Sequence, residues 1–123
     1  MKITLQPFTY AVCRLELGTK IPDWALKGEF FSINRTDDEL SIVCAESQVP
    51  SDVKFEKDWR LLKVEGPLDF NLTGILSGIA NCLAQAKVSI FAISTYDTDY
   101  VMVKSSSLDV AISSLKKDGY QVD

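Results

Sequence analysis

Val88-Ser89-Ile90-Phe91-Ala92-Ile93-Ser94-Thr95-Tyr96-Asp97-Thr98-Asp99-Tyr100-Val101-Met102-Val103 is the stretch from which the fold is read. β-Branched and aromatic residues fill its two arms, and the polar Asp97-Thr98-Asp99 between them reads as a turn or bulge, so the stretch predicts a β-hairpin. Sixty positions earlier the chain carries Phe31-Ser32-Ile33-Asn34-Arg35-Thr36-Asp37-Asp38-Glu39-Leu40-Ser41-Ile42-Val43. Phe, Ile, Asp and Val coincide at 31/91, 33/93, 37/97 and 43/103, and the same shift lays Ser47 on Ser107 and Lys57-Asp58 on Lys117-Asp118. A gapless offset joining two strand-turn-strand patterns points to an internal duplication with halves of about 60 residues.

Working outward from the second hairpin, Trp59 to Glu65 is β-prone and stops at the turn pair Gly66-Pro67. Apolar residues at 72, 75, 76, 79 and 83 then follow the rhythm of an amphipathic helix. Asn71 or Thr73 is the expected cap, and Gly74 and Gly78 allow close backbone approach. Beyond the hairpin, Ser106-Ser107-Leu108-Asp109 has the Ser-x-x-Asp form of a capping box. A stripe of Leu108, Ala111, Ile112 and Leu115 follows, then Lys116 and Lys117 at the negative helix end and Gly119 as its stop. Tyr120-Gln121-Val122 reads as a last strand. The order β-α-β-β-α-β is the ferredoxin-like split βαβ arrangement.

The first half keeps its hairpin but breaks its helices. Gly18, Pro22 and Gly28 leave room for one short turn around Trp24-Ala25-Leu26, and Pro50 to Val53 offers about one more. Two strands are expected before that hairpin. The fold class expected is therefore α+β: two tandem ferredoxin-like subdomains with antiparallel sheets, residues 1–58 with eroded helices and residues 59–123 intact. Units this small bury little surface alone, so a shared core or extended sheet is expected.

The 123 residues are 46% hydrophobic and 24% charged, values of an ordinary globular chain, and no apolar run is long enough to cross a bilayer. The amino terminus enters strand-like sequence without a secretory signal, which predicts a cytoplasmic protein. With 13 basic and 17 acidic residues the net charge is −4, and no basic cluster suits a phosphate backbone, so nucleic acid is not an expected partner. There is no histidine, which closes the Ser-His and Cys-His nucleophile pairs and His-containing zinc sites. No enzymatic activity, cofactor or metal is expected. Cys13, Cys44 and Cys82 lie far apart in apolar settings and read as reduced, buried thiols.

Two segments carry the candidate site. In Asp69-Phe70-Asn71-Leu72-Thr73-Gly74-Ile75 a strand leads into a helix start, whose unpaired N–H groups and dipole favour a carboxylate or phosphate. It lacks the P-loop lysine and the full G-x-G-x-x-G pattern, which disfavours a nucleotide. In Asp97-Thr98-Asp99 two carboxylates at i and i+2 can face one way and hold an ammonium or a metal. A zwitterionic amino acid needs an anion site beside a cation site, and the two segments supply that pair.

Lys63-Val64-Glu65-Gly66-Pro67-Leu68-Asp69-Phe70, Leu72-Thr73-Gly74-Ile75-Leu76 and the hairpin string Ser94-Thr95-Tyr96-Asp97-Thr98-Asp99-Tyr100 resemble the ACT-domain superfamily. Within it the chain is similar to small bacterial tandem-ACT proteins related to the cytosolic arginine sensors of the TOR pathway. The likeness covers residues 59 to 123 and extends more weakly to 31–43. It implies a non-catalytic regulatory module that binds an amino acid where ACT domains meet, with a homodimer and a regulated protein as partners. It further implies ligand contacts from Asp69 to Ile75 and from Thr95, Asp97 and Asp99, with Asp99 facing the ligand's amino group. Leu72 stands where the arginine-binding relatives carry an acid. The alternative is a protein-interaction or scaffolding module that has lost ligand binding; the eroded first half and Leu72 favour it.

Overall fold

The structure is a computed structural model that describes residues 1–69 and 71–123. In chain order it contains β1 (Lys2–Leu15), a 3-10 turn (Asp23–Leu26), β2 (Ser32–Arg35), β3 (Leu40–Ala45), a 3-10 turn (Glu46–Gln48) and β4 (Lys54–Val64). Helix α1 (Ile75–Gln85), β5 (Ile90–Ser94), β6 (Asp99–Lys104), a 3-10 turn (Ser105–Ser107), helix α2 (Leu108–Lys117) and β7 (Gln121–Val122) complete it. The chain divides into two compact units, one of Met1–Pro7 with Arg60–Asp123 and one of Phe8–Trp59. The class is α+β, with ferredoxin-like connectivity and eroded helices in the first half. No helix of the described residues is long and apolar enough to cross a membrane.

In the unit that contains both α-helices, the strand order is β7-β1-β4-β6-β5. The amino-terminal end of β1 pairs in parallel with β7, Lys2 opposite Gln121 and Ile3 opposite Val122, and its other neighbour is β4. Helices and sheet enclose a core of Ile3, Leu62, Val64, Ile79, Leu83 and Leu115. α1 is helical because Ile79, Cys82 and Leu83 recur on one face and turn inward together. It ends where Lys87 takes a left-handed backbone (φ 61), with the N–H of Val88 on the carbonyl of Leu83 at 2.9 Å.

In the second unit the order is β2-β3-β1-β4, and β1 pairs with β3 from Tyr10–Ala45 to Leu15–Leu40. Its core is small: Ala11, Cys13, Ala25, Leu40, Ile42 and Cys44, with Trp24 and Phe55 packed against it. The turn at Asp23–Leu26 replaces a helix and delivers Ala25 to that core, because the surrounding Gly and Pro stop propagation.

Four sequence expectations change. One continuous β1 replaces the two strands expected before the first hairpin, and Phe8 within it has a left-handed backbone (φ 77). Leu72 lies outside α1, which begins at Ile75. Ser106 makes no capping bond to α2; a 3-10 turn leads into that helix instead. After the first hairpin a 3-10 turn falls on Glu46–Gln48, while Pro50 to Val53 is a single non-helical turn closed by the Val53 N–H on the Pro50 carbonyl at 3.3 Å.

All three cysteines are free and buried. The neighbouring Cys44 thiol and burial hold Cys13 above the ordinary thiol range. Burial, then the Asp118 carboxylate, pushes Cys82 up to about 11. A pKa raised on folding contributes stability below the unfolded value of 9.0 and loses it as pH climbs toward about 11. Denaturation measured across that interval should show falling stability, and Cys82→Ala should flatten the fall. Leu83, fully buried, should cost about 2–5 kcal/mol when changed to Ala, read as a lower urea midpoint.

Candidate functional site

The site grows from the turn that joins β5 to β6. The Thr95 N–H and hydroxyl both donate to the Thr98 carbonyl, at 2.8 and 3.1 Å, which closes a four-residue turn at 95–98. Thr98 is buried among exposed neighbours, and its hydroxyl donates to the carbonyl of Val64 at the end of β4. The carbonyl of Asp97 in turn accepts the N–H of Leu68 at 2.6 Å. Gly66 sits between these two ties; a Cβ there would stand 2.7 Å from the Asp97 oxygen. Glycine is therefore required by close approach, and the loop leaving β4 is bolted to the hairpin.

From that anchor the loop reaches the start of α1. The carboxylate of Asp69 accepts the Asn71 N–H at 2.7 Å and its carbonyl accepts the Leu72 N–H at 3.0 Å, a local turn of the kind Asp favours. Neither Asn71 nor Thr73 caps the helix, contrary to expectation. The cap position is Gly74, whose φ of 79 and ψ of 0 suit a residue without Cβ, and no side chain bonds to the first turn. Its carbonyl accepts the Gly78 N–H at 2.9 Å, so intrahelical bonding begins there and the preceding amides have no intrahelical acceptor.

Between turn and helix start lies an open cleft of about 340 Å³. Seven predicted residues line it: Asp69, Leu72, Gly74, Ile75, Thr95, Asp97 and Asp99. Asn71 and Thr73 are exposed and do not line it, and Phe70 lies outside the described residues. Sequence reading missed Leu68, Leu76, Ser77, Ser94 and Tyr96 on its walls, and Thr98 as the residue that holds them. Ser94 was findable from the hairpin register: it pairs with Asp99, and its hydroxyl donates to the Asp99 carboxylate at 2.6 Å. That bond aims a half-buried acid. Among the described residues three carboxylates and no Lys or Arg line the cleft, so its side-chain charge is negative while the helix start supplies a positive pole.

The first hairpin has the same turn without the acid. Thr36 N–H donates to the Glu39 carbonyl at 2.9 Å, as Thr95 does to Thr98, and Arg35 pairs with Leu40 as Ser94 pairs with Asp99. The bonded turns are thus offset by 59 residues, one fewer than the offset that maximises identities. At this offset a fully buried Leu40 occupies the position of Asp99.

Residues 54–117 match the family model of the ACT domain. The chain belongs to the ACT-domain family. Residues 9–52 match a separate model described as an N-terminal domain. The ACT chain is 33% identical over 96 residues to the human cytosolic arginine sensor for mTORC1 subunit 1, across 72% of its own length. It spans only 29% of that relative. It superposes on the crystal structure of an Agrobacterium tumefaciens protein with a TM-score of 0.94 and 37% identity, covering 99% of this chain and 91% of that one. The regulatory subunit of Thermus thermophilus aspartate kinase shares the fold, with a TM-score of 0.64 at 8% identity over 94% and 95% of the two chains.

Thr98→Val should remove the buried bond to the Val64 carbonyl and cost about 1–3 kcal/mol in urea denaturation, with Thr98→Ser recovering most of it. Unchanged stability in the valine variant would show that the hydroxyl does not hold the turn.

Proposed function

We propose that this ACT-domain chain is a non-catalytic, cytoplasmic regulatory module that binds an amino acid in the cleft between α1 and the 95–98 turn. The observation that carries this reading is the facing of opposite electrostatic poles across one small space: the helix start at Gly74–Ser77 and the Ser94-aimed carboxylate of Asp99. The α-carboxylate would lie at the helix start and the α-ammonium at Asp99. Each half of a zwitterion then meets its complement. The volume is at the lower end of small-molecule sites, which suits a metabolite of this size. The remaining carboxylates, Asp69 and Asp97, favour a neutral or cationic side chain and oppose an acidic one. A relative named as an arginine sensor supports the same class of ligand.

Leu40 in place of Asp99 gives the other unit no such pole, so its contribution is structural. The cleft is open on one side, with Leu72 and Tyr96 exposed at its rim; a second copy of the chain would close it, and a regulated protein would read the result.

Isothermal titration against the twenty amino acids should find a ligand with Kd of roughly 1 µM to 1 mM. Acidic amino acids should be the weakest. Asp99→Asn, which keeps the shape but removes the charge, should weaken binding about tenfold or more and abolish ligand-induced thermal stabilisation. Silence with every amino acid would favour the scaffolding role instead.

A further inference from the structure

We propose that Tyr120 is a positioning residue of the cleft: its hydroxyl, seated on Gly78, sets how far the start of α1 stands from the 95–98 turn. The effect on affinity rests on the ligand-binding reading; the contact itself does not.

The sequence pattern marks Gly78 for close approach, yet Gly78 does not line the cleft. Its close neighbour is Tyr120. A Cβ on Gly78 would stand 3.1 Å from the Tyr120 hydroxyl oxygen, tighter than ordinary van der Waals contact. Gly78 lies inside α1, so the position uses its lack of a side chain rather than left-handed freedom. Glycine is among the poorest helix formers, and a glycine inside an unbroken helix calls for a reason of this kind. Cys82 follows one turn later on the same side of α1. Burial, then the nearby Cys82 and Asp118, raises the Tyr120 phenol above its ordinary value, which places the ring along the Gly78–Cys82 side of the helix.

Of the two partners, Tyr120 is the one held in place. Its N–H donates to the Leu115 carbonyl in α2 at 3.0 Å, and the next N–H, of Gln121, donates to the Met1 carbonyl at 3.0 Å as β7 joins β1. Its side chain packs against the core that contains Ile79, Leu83 and Leu115. The start of α1 has less to hold it. No side chain caps it, and Gly74, Ile75, Leu76 and Ser77 are exposed or half-buried. Bulk added at Gly78 therefore displaces the helix start rather than Tyr120, and those four residues line the cleft. Amides and helix dipole act on an anion at hydrogen-bond distance and fade within the first turn, so a shift of a few tenths of an ångström is felt by a bound carboxylate.

Exchanging size between the two residues tests the role on the full chain, by amide NMR of the ligand-free protein and by calorimetric titration with the amino acid that binds. Gly78→Ala should shift the amides of Ile75, Leu76 and Ser77 and weaken binding roughly three- to tenfold. Tyr120→Phe removes only the oxygen and should weaken binding about twofold. In the double variant the new methyl takes the place of the missing hydroxyl, so affinity should return to within about twofold of wild type and the amides toward their original shifts. Two unrelated packing defects would add instead of cancel. Should Gly78→Ala fail to fold by circular dichroism, Tyr120→Leu is the second variant, and it should move the same amides and weaken binding. Unmoved amides in a folded variant, or a double variant no better than Gly78→Ala, would overturn the positioning role while leaving the ligand in place. Amides that move and return in a chain that binds no amino acid would leave the positioning standing and remove the proposed ligand.

Discussion

The buried hydroxyl of Thr98, donating to the carbonyl of Val64, connects the last residue of a strand to a turn that is more than thirty positions away in the chain. It works with the Leu68–Asp97 backbone bond, and with a glycine at 66 that lets the two segments touch. Without that tie the segments at Leu68–Asp69 and 72–74 and the turn 95–98 would be separate connections with no bond between them. With it they become two walls of one cleft. A buried polar group is costly when unpaired, so the tie also makes the arrangement all-or-none. The position of Asp99, and everything proposed for it, follows from this local geometry.

The same turn built twice, with different residues after it, separates scaffold from function. Thr36 and Thr95 bond their turns alike, yet the next strand opens with Leu40 in one case and Asp99 in the other. Leu40 is drawn into a core poor in large side chains. Asp99 stays half-buried, held by Ser94 at a cleft wall. One unit has traded its helices for short turns and retains a compact core of small residues; the other keeps both helices and, with them, a helix start that can face a carboxylate.

Much of this was legible in the chain because it is written in periodicity. The hairpins, both helices and the broken first half all follow from alternation, i, i+3 spacing and glycine placement. What was not legible depends on register and on long-range closure. An identity-based offset of 60 cannot reveal that hydrogen bonding sets the true turn equivalence at 59. The insertion of the amino-terminal end of β1 between β4 and β7 requires pairing information that no local pattern carries. Thr98 reads as one more polar turn residue until its hydroxyl is seen to be buried. Asn71 and Thr73 look like caps because capping is a local preference, but the Asp69-centred turn and a left-handed Gly74 direct the chain otherwise.

The open cleft concentrates acidic side chains around one positive pole, so a bound zwitterion should be felt on both walls together. The most direct measurement is an amide NMR titration of the intact chain with the amino acid that binds. The account predicts that the amides of Ile75, Leu76 and Ser77 shift in step with those of Thr95 to Asp99, with a single dissociation constant, while the 36–39 turn is unmoved. Shifts on one wall without the other, or a response centred on residues 8–59, would contradict it.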